Sequence, residues 1–286
     1  MSTGADRSGS AAPIILEAAR NGEYDRAMAA LLAPSAARES LLALAAFSAE
    51  LVRITPQTRR EPHMGEIRLQ WWREALADPK GAPSGHPIAD AMKAAMARNA
   101  WAVSTVEGII DSHAHDGLAD AFADDGELIA TLELGEGALF RLAAGALGAA
   151  QFPELDALAE DAGVAYGIAR RLVALPQLVA LGHVPLPQAR VEAAGLQMPK
   201  ILAGEADVAG VVLDLADLAR DRLASARQAL NAQTRKIRIA FLPLALVDPY
   251  LRISTQKGRQ ALRDPVDVAP LRRLIRLLRA RLSGRI

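Results

Sequence analysis

Apolar residues recur along this chain at three- and four-residue spacing, and Pro and Gly interrupt each run, a pattern that predicts a succession of helices. A short helix runs from Tyr24 to Leu32 and ends at Ala33-Pro34. Ser35 is a favourable N-cap for a long helix from Ala36 to about Ile54, stopped by Thr55-Pro56. Met64 to Ala77 follows, bounded by Glu61-Pro62 and Asp78-Pro79, then a Gly/Pro-rich loop from Lys80 to Pro87. Helical patterns continue at Ile88–Asn99, Ala100–Ser112, Asp125–Leu134, Gly137–Ala150, Glu154–Leu181, Leu213–Asn231, Ala240–Leu251 and Pro270–Leu282. Met1 to Pro13 is rich in Ser, Gly and Ala and reads as a disordered N-terminus. No repeat period and no shift of composition divides the rest, so residues 14–286 read as one all-α domain.

Composition sharpens the picture. Of 286 residues, 51% are hydrophobic but only 4% aromatic, so alanine and leucine must supply most of the packing, and both favour helix. There is no cysteine, which excludes disulfides, thiolate metal sites and cysteine nucleophiles. The longest uncharged run, Leu172 to Ala189, carries three prolines and reads as a helix end plus a turn rather than a membrane span. The expectation is a cytoplasmic protein, peripheral at most, on the inner face of a membrane.

Lys+Arg and Asp+Glu balance at 33 each, which argues against nucleic acid as a partner. The balance conceals polarity. Between Asn99 and Phe140 there are nine acids and no Lys or Arg, whereas from Arg252 onward ten basic residues face two acids. In the last helical pattern Leu271, Leu274, Ile275, Leu278 and Leu282 form one apolar stripe, with arginines around the remaining circumference. Such a helix suits an anionic membrane surface bound through Arg272, Arg273, Arg276 and Arg279; the competing reading has the stripe capping the bundle.

Other clusters carry less. Asp111, His113, His115 and Asp116 include metal-ligating residue types, but His113 and His115 point apart on a helix, and a solvated helix end is the simpler reading. His63, His86 and His183 stand beside prolines or in a turn. Trp71 and Trp72 are adjacent on a helix, so one indole enters the core and the other lies at its boundary. No Walker loop, dinucleotide fingerprint or G-x-S-x-G motif is present.

Six stretches carry a family resemblance: Tyr24-Asp25-Arg26, LLALAAFSAELVRI (residues 41–54), GEIRLQWWREAL (65–76), EGALFRLAAGALG (136–148), GVAYGIARRL (163–172) and GHVPLP (182–187). In order and spacing they resemble the squalene/phytoene synthase family of head-to-head prenyltransferases, and most closely a divergent branch that includes assembly factors of mitochondrial respiratory complex I. The resemblance implies an isoprenoid-synthase-like helical bundle around a central cavity. In the family, magnesium held by two Asp-x-x-x-Asp motifs neutralises the departing diphosphate. Those four aspartates align here with Val52, Pro56, Ala174 and Leu178, a phosphate-binding Arg with Ala49, and a Gln and an Asn with Gly167 and Arg170. All four metal-holding positions are therefore apolar, and no Asp or Glu lies between Arg53 and Arg60 or between Ala162 and Arg190.

The expectation that follows is a catalytically inactive relative acting as an assembly or chaperone-type factor for complex I, with no catalytic residue, no metal and no cofactor. Glu50, Arg53, Gly167 and Arg170 are expected on the cavity face. Arg170 there either pairs with Glu50 or binds an anionic head group directly. Two other readings stay open. One is an active transferase using magnesium held by Glu50, Glu66, Glu160 or Asp161; the other is an isoprenoid- or lipid-binding carrier. The implied partners are a respiratory-complex subunit, an isoprenoid or lipid ligand, and the anionic membrane surface.

Overall fold

Helix begins earlier than the sequence pattern predicts. In the computed structural model, which describes residues 6–118, 121–149, 153–256, 261–262 and 268–286, α1 spans Asp6–Gly22 and takes in Pro13. Residues 6–13 of the segment that reads as disordered are thus assigned to helix, while residues 1–5 lie outside the described set. Tertiary contact supplies what propensity does not: Ile15, Ala18 and Ala19 pack into the core, and Gly22 lies so close to Ala49 that a Cβ there would sit 2.5 Å from the alanine's.

The elements that follow are α2 (Tyr24–Leu31), α3 (Ser35–Arg60), α4 (Pro62–Leu76), α5 (Pro87–Asn99), α6 (Val103–Leu118) and α7 (Asp125–Leu132). A π-helical turn (Glu133–Gly137) leads into α8 (Ala138–Ala146), the long α9 (Pro153–Ala180), and two short helices missed by the sequence pattern, α10 (Gln188–Ala193) and α11 (Met198–Leu202). Then come α12 (Ala209–Leu230), a 3₁₀ segment (Ile237–Leu246), α13 (Val247–Thr255) and α14 (Pro270–Ser283). No strand occurs among the described residues.

Two boundaries differ for identifiable reasons. α3 runs through Thr55-Pro56 instead of stopping there. Pro56 cannot donate a backbone bond, but the Thr55 hydroxyl donates to the Leu51 carbonyl at 3.2 Å. α6 starts at Val103 because Ala100 closes α5 in the left-handed conformation, with φ 52°.

α9 is the axis of the molecule. Leu155, Leu158, Ala162, Ala165, Ile168, Leu172 and Leu175 are all buried, and α9 packs against α12, α13, α8 and the π turn. A helix apolar around most of its circumference must be covered on most sides. The predicted shortage of aromatic packing is visible here, since small side chains let the neighbouring backbones close on α9.

Candidate functional site

The polar centre of the molecule is a closed set of ion pairs between α2, the π turn, α9, α13 and α14. Asp25, only 3% exposed, accepts hydrogen bonds from the Tyr166 phenol at 2.8 Å and the Tyr250 phenol at 2.6 Å, and from Arg273 Nε at 2.7 Å. Burial, and then the Asp25 charge, push both phenols well above the ordinary tyrosine range, so both stay protonated donors. Arg170 Nη1 donates to Glu23 at 2.6 Å and reaches Glu136 at 3.5 Å, and Arg26 pairs with the other Glu136 oxygen. Arg26 also lies over the Phe140 ring at 4.6 Å. Three carboxylates meet three guanidinium groups, and the cluster balances internally.

Beside this cluster lies a cavity of about 190 Å³ whose wall includes Val52, Glu136, Gly167, Arg170, Ala174 and Leu178. Three of the four positions expected to face a family metal site thus share one wall, and all three are apolar; the Pro56 side chain lies outside the described residues. Thr55, His113, Arg171 and His183 complete the lining. Close helix contact keeps the cavity small. A Cβ on Gly167 would lie 2.3 Å from Leu132 Cδ2, and one on Gly163 would lie 2.3 Å from the Gly137 nitrogen. A side chain at position 167 would have to displace Leu132.

The structure divides the four residues expected on one cavity face. Gly167 and Arg170 line this cavity, whereas Glu50 and Arg53 line a separate pocket with Arg68, Trp71, Trp72 and His86. Residues 50 and 52 are about 200° apart on a helix, so Glu50 cannot share a wall with Val52. Glu50 pairs with Arg53, and the expected Arg170–Glu50 pair is replaced by Arg170–Glu23. Among the acids considered as replacement metal ligands, Glu66 stands exposed near His63, Glu160 pairs with Arg141 and Asp161 with Arg222.

Other expectations resolve locally. His113 Nδ1 contacts the Thr55 hydroxyl, His115 stacks on Phe122 and Asp111 pairs with Arg73; the Asp116 side chain lies outside the described residues. Among the described residues no group of three or more potential metal ligands is gathered. His183, just after the turn that ends α9, is buried. Trp72 is buried against Phe47 and Trp71 lies at the surface. Arg273, expected at a membrane face, instead turns inward to Asp25. Sequence reasoning missed Glu23, Asp25 and Glu136 as site residues, although Asp25 and Glu136 stand in the stretches that carry the family resemblance.

One pH dependence follows. Burial alone would raise the Glu136 carboxyl, but the Arg26 and Arg170 charges outweigh it and hold the group below the ordinary carboxylate range. A depressed folded value contributes stability that is present above the unfolded value and lost as pH falls through the folded one. Urea unfolding of wild type and Glu136→Gln across a pH series should show a stability gap that is widest near neutrality and narrows with acidification. A gap independent of pH would contradict the assignment.

The helical topology and this centre define an all-α protein of the isoprenoid-synthase fold. It superposes on squalene synthase HpnC from Alicyclobacillus acidocaldarius with a TM-score of 0.73 at 16% identity, covering 88% of this chain and 94% of that one. A dehydrosqualene synthase crystallised with ligand gives a TM-score of 0.78 at 14% identity, with 98% of both chains covered. The sequence profile of squalene/phytoene synthase matches residues 19–275, and the chain belongs to that family. Its similar relatives include NADH dehydrogenase (ubiquinone) complex I assembly factor 6 of Bos taurus, 28% identical over 240 residues, and that of Homo sapiens at 27%; each alignment covers 83% of this chain and 72% of the relative.

Proposed function

We infer that this chain is a non-catalytic member of its family and serves as an assembly factor for respiratory complex I. The observation that carries the first part is the donor set of the cavity. Magnesium demands near-octahedral oxygen coordination. The wall offers Val52, Ala174 and Leu178 where carboxylates would be needed, and its carboxylate Glu136 is held by Arg26 and Arg170. The residues present do not fit that ion. The guanidinium of Arg170 is likewise engaged by Glu23, so an incoming diphosphate would have to break an internal pair.

Space supports the same reading. About 190 Å³ falls below the roughly 300–1,000 Å³ of small-molecule sites, which favours a packed scaffold over an isoprenoid carrier. The complex I role is supported by the bovine and human relatives that bear that name, each aligned with this chain over 72% of its length.

The test has two arms. Purified chain incubated with farnesyl diphosphate and Mg²⁺ should yield no squalene-like product above a heat-killed control, and squalene or dehydrosqualene in the extract would overturn the non-catalytic reading. Deleting the gene in its own host should lower the amount of assembled complex I on native gels, with recovery on re-expression. Unchanged complex I would overturn the assembly reading.

A further inference from the structure

α14 carries two apolar faces and uses one. Leu277 and Ala280 are buried, and Arg273 points inward on the same side to Asp25. At about 100° per residue, Leu271, Ile275, Leu278 and Leu282 form a second stripe roughly 160° away from the first. They are 67%, 40%, 36% and 79% exposed. The stripe legible in the sequence is therefore not the one that packs: of its five members, only Leu274 contacts the core.

One margin of the outward stripe is basic. A groove of about 620 Å³ runs along α14 and is lined by Arg227, Arg272, Arg276, Arg279 and Arg285. Arg227 is engaged by Asp248 at 2.7 Å, and Arg276 Nε donates to the Ala245 carbonyl at 2.8 Å. The Arg272, Arg279 and Arg285 guanidiniums pair with no described carboxylate, and α14 contains no acidic residue.

We propose that α14 is a membrane-docking helix that lies on an anionic bilayer, with its outward leucine/isoleucine stripe at the acyl boundary and lipid phosphates in the arginine groove. A contiguous exposed apolar face bordered by cations matches the amphipathic profile of an anionic lipid interface. Planar guanidiniums grip phosphate oxygens in pairs. The groove presents cations alone, which fits a surface of uniform negative charge, and three acids of the chain's acidic flank are engaged internally: Asp111 by Arg73, Asp125 by Arg190 and Glu136 by Arg26. Among the described residues no helix is long and apolar enough to cross a membrane, so this contact would hold the protein at the surface. The inference does not depend on the assembly role.

Vesicle flotation of the full chain tests it. Vesicles of phosphatidylcholine containing phosphatidylglycerol should carry the protein up the gradient, and pure phosphatidylcholine vesicles should not. Arg272→Gln with Arg279→Gln should weaken the partition on the order of 10-fold. Ile275→Ser with Leu278→Ser should weaken it comparably, while Arg68→Gln on the exposed face of α4 should leave it unchanged. All changed positions are exposed, and circular dichroism melting should confirm an intact fold. Failure of the full chain to float with anionic vesicles would overturn the proposal. So would flotation indifferent to the α14 changes, or a dimer in light scattering that Ile275→Ser with Leu278→Ser converts to monomer.

Discussion

Replacing Asp25 by alanine is expected to remove about 3–5 kcal/mol of folding stability, among the largest effects of any single substitution in this chain. The carboxylate accepts from two phenols and one guanidinium, and it joins α2 to α9, α13 and α14. Deleting it leaves the Arg273 charge without its partner and two buried hydroxyls without an acceptor, and each such loss carries a desolvation cost. For a chain of this size the melting midpoint should fall by roughly 10 °C. Asp25→Asn keeps one acceptor but removes the charge, so it should fall between the two. Arg273→Ala should cost less, because both phenols still satisfy Asp25, and a double-mutant cycle between the two positions should show coupling of at least about 1 kcal/mol. A loss below about 1 kcal/mol for Asp25→Ala would mean that water enters the cluster freely.

Much of the helical order was legible because Pro and Gly punctuate it, and the exceptions share one cause. Thr55-Pro56 predicts a stop and Pro13 closes a segment that reads as disordered, yet both prolines lie inside a helix. Single-residue propensity cannot register that neighbouring helices hold the segment in place. The same limit governed the site. Arg170 lines the cavity, but its partner is Glu23, 147 positions away in sequence, and nothing local distinguishes Glu23 from Glu50. One discrepancy was open to detection beforehand. If Val52 faces the cavity, Glu50 and Arg53 cannot do so as a pair, because about 100° separates successive positions.

The tail illustrates a different ambiguity. Periodicity alone located an apolar stripe on α14, but a helix with leucines at both 277 and 278 has two candidate faces. Which one packs is decided by the Arg273–Asp25 pair on the far side. That pair is the physical link between the central cluster and the outer surface. Loss of Asp25 should therefore also raise amide hydrogen exchange in α14, beyond what global destabilisation produces.

Gly163→Ala is expected to be as damaging as loss of Asp25, although it adds a single methyl group. The new Cβ would lie 2.3 Å from the Gly137 nitrogen and 2.6 Å from its Cα, so it meets backbone rather than a side chain able to rotate away. Relief requires separating α9 from the π turn. That movement would pull Glu136 from Arg170 and open the cavity whose small volume supports the scaffold reading. Overpacking of a core costs about 1–3 kcal/mol where side chains can shift, and a backbone collision should reach or exceed the top of that range. The contrasting control is Gly210→Ala in α12, where nothing lies within 4 Å of the added carbon. There the chain should gain about 0.4–1 kcal/mol through reduced freedom of the unfolded state. Chemical denaturation of the two variants side by side checks both signs. Tolerance of alanine at 163 would show that the π turn and α9 are not in the close contact on which the small cavity depends.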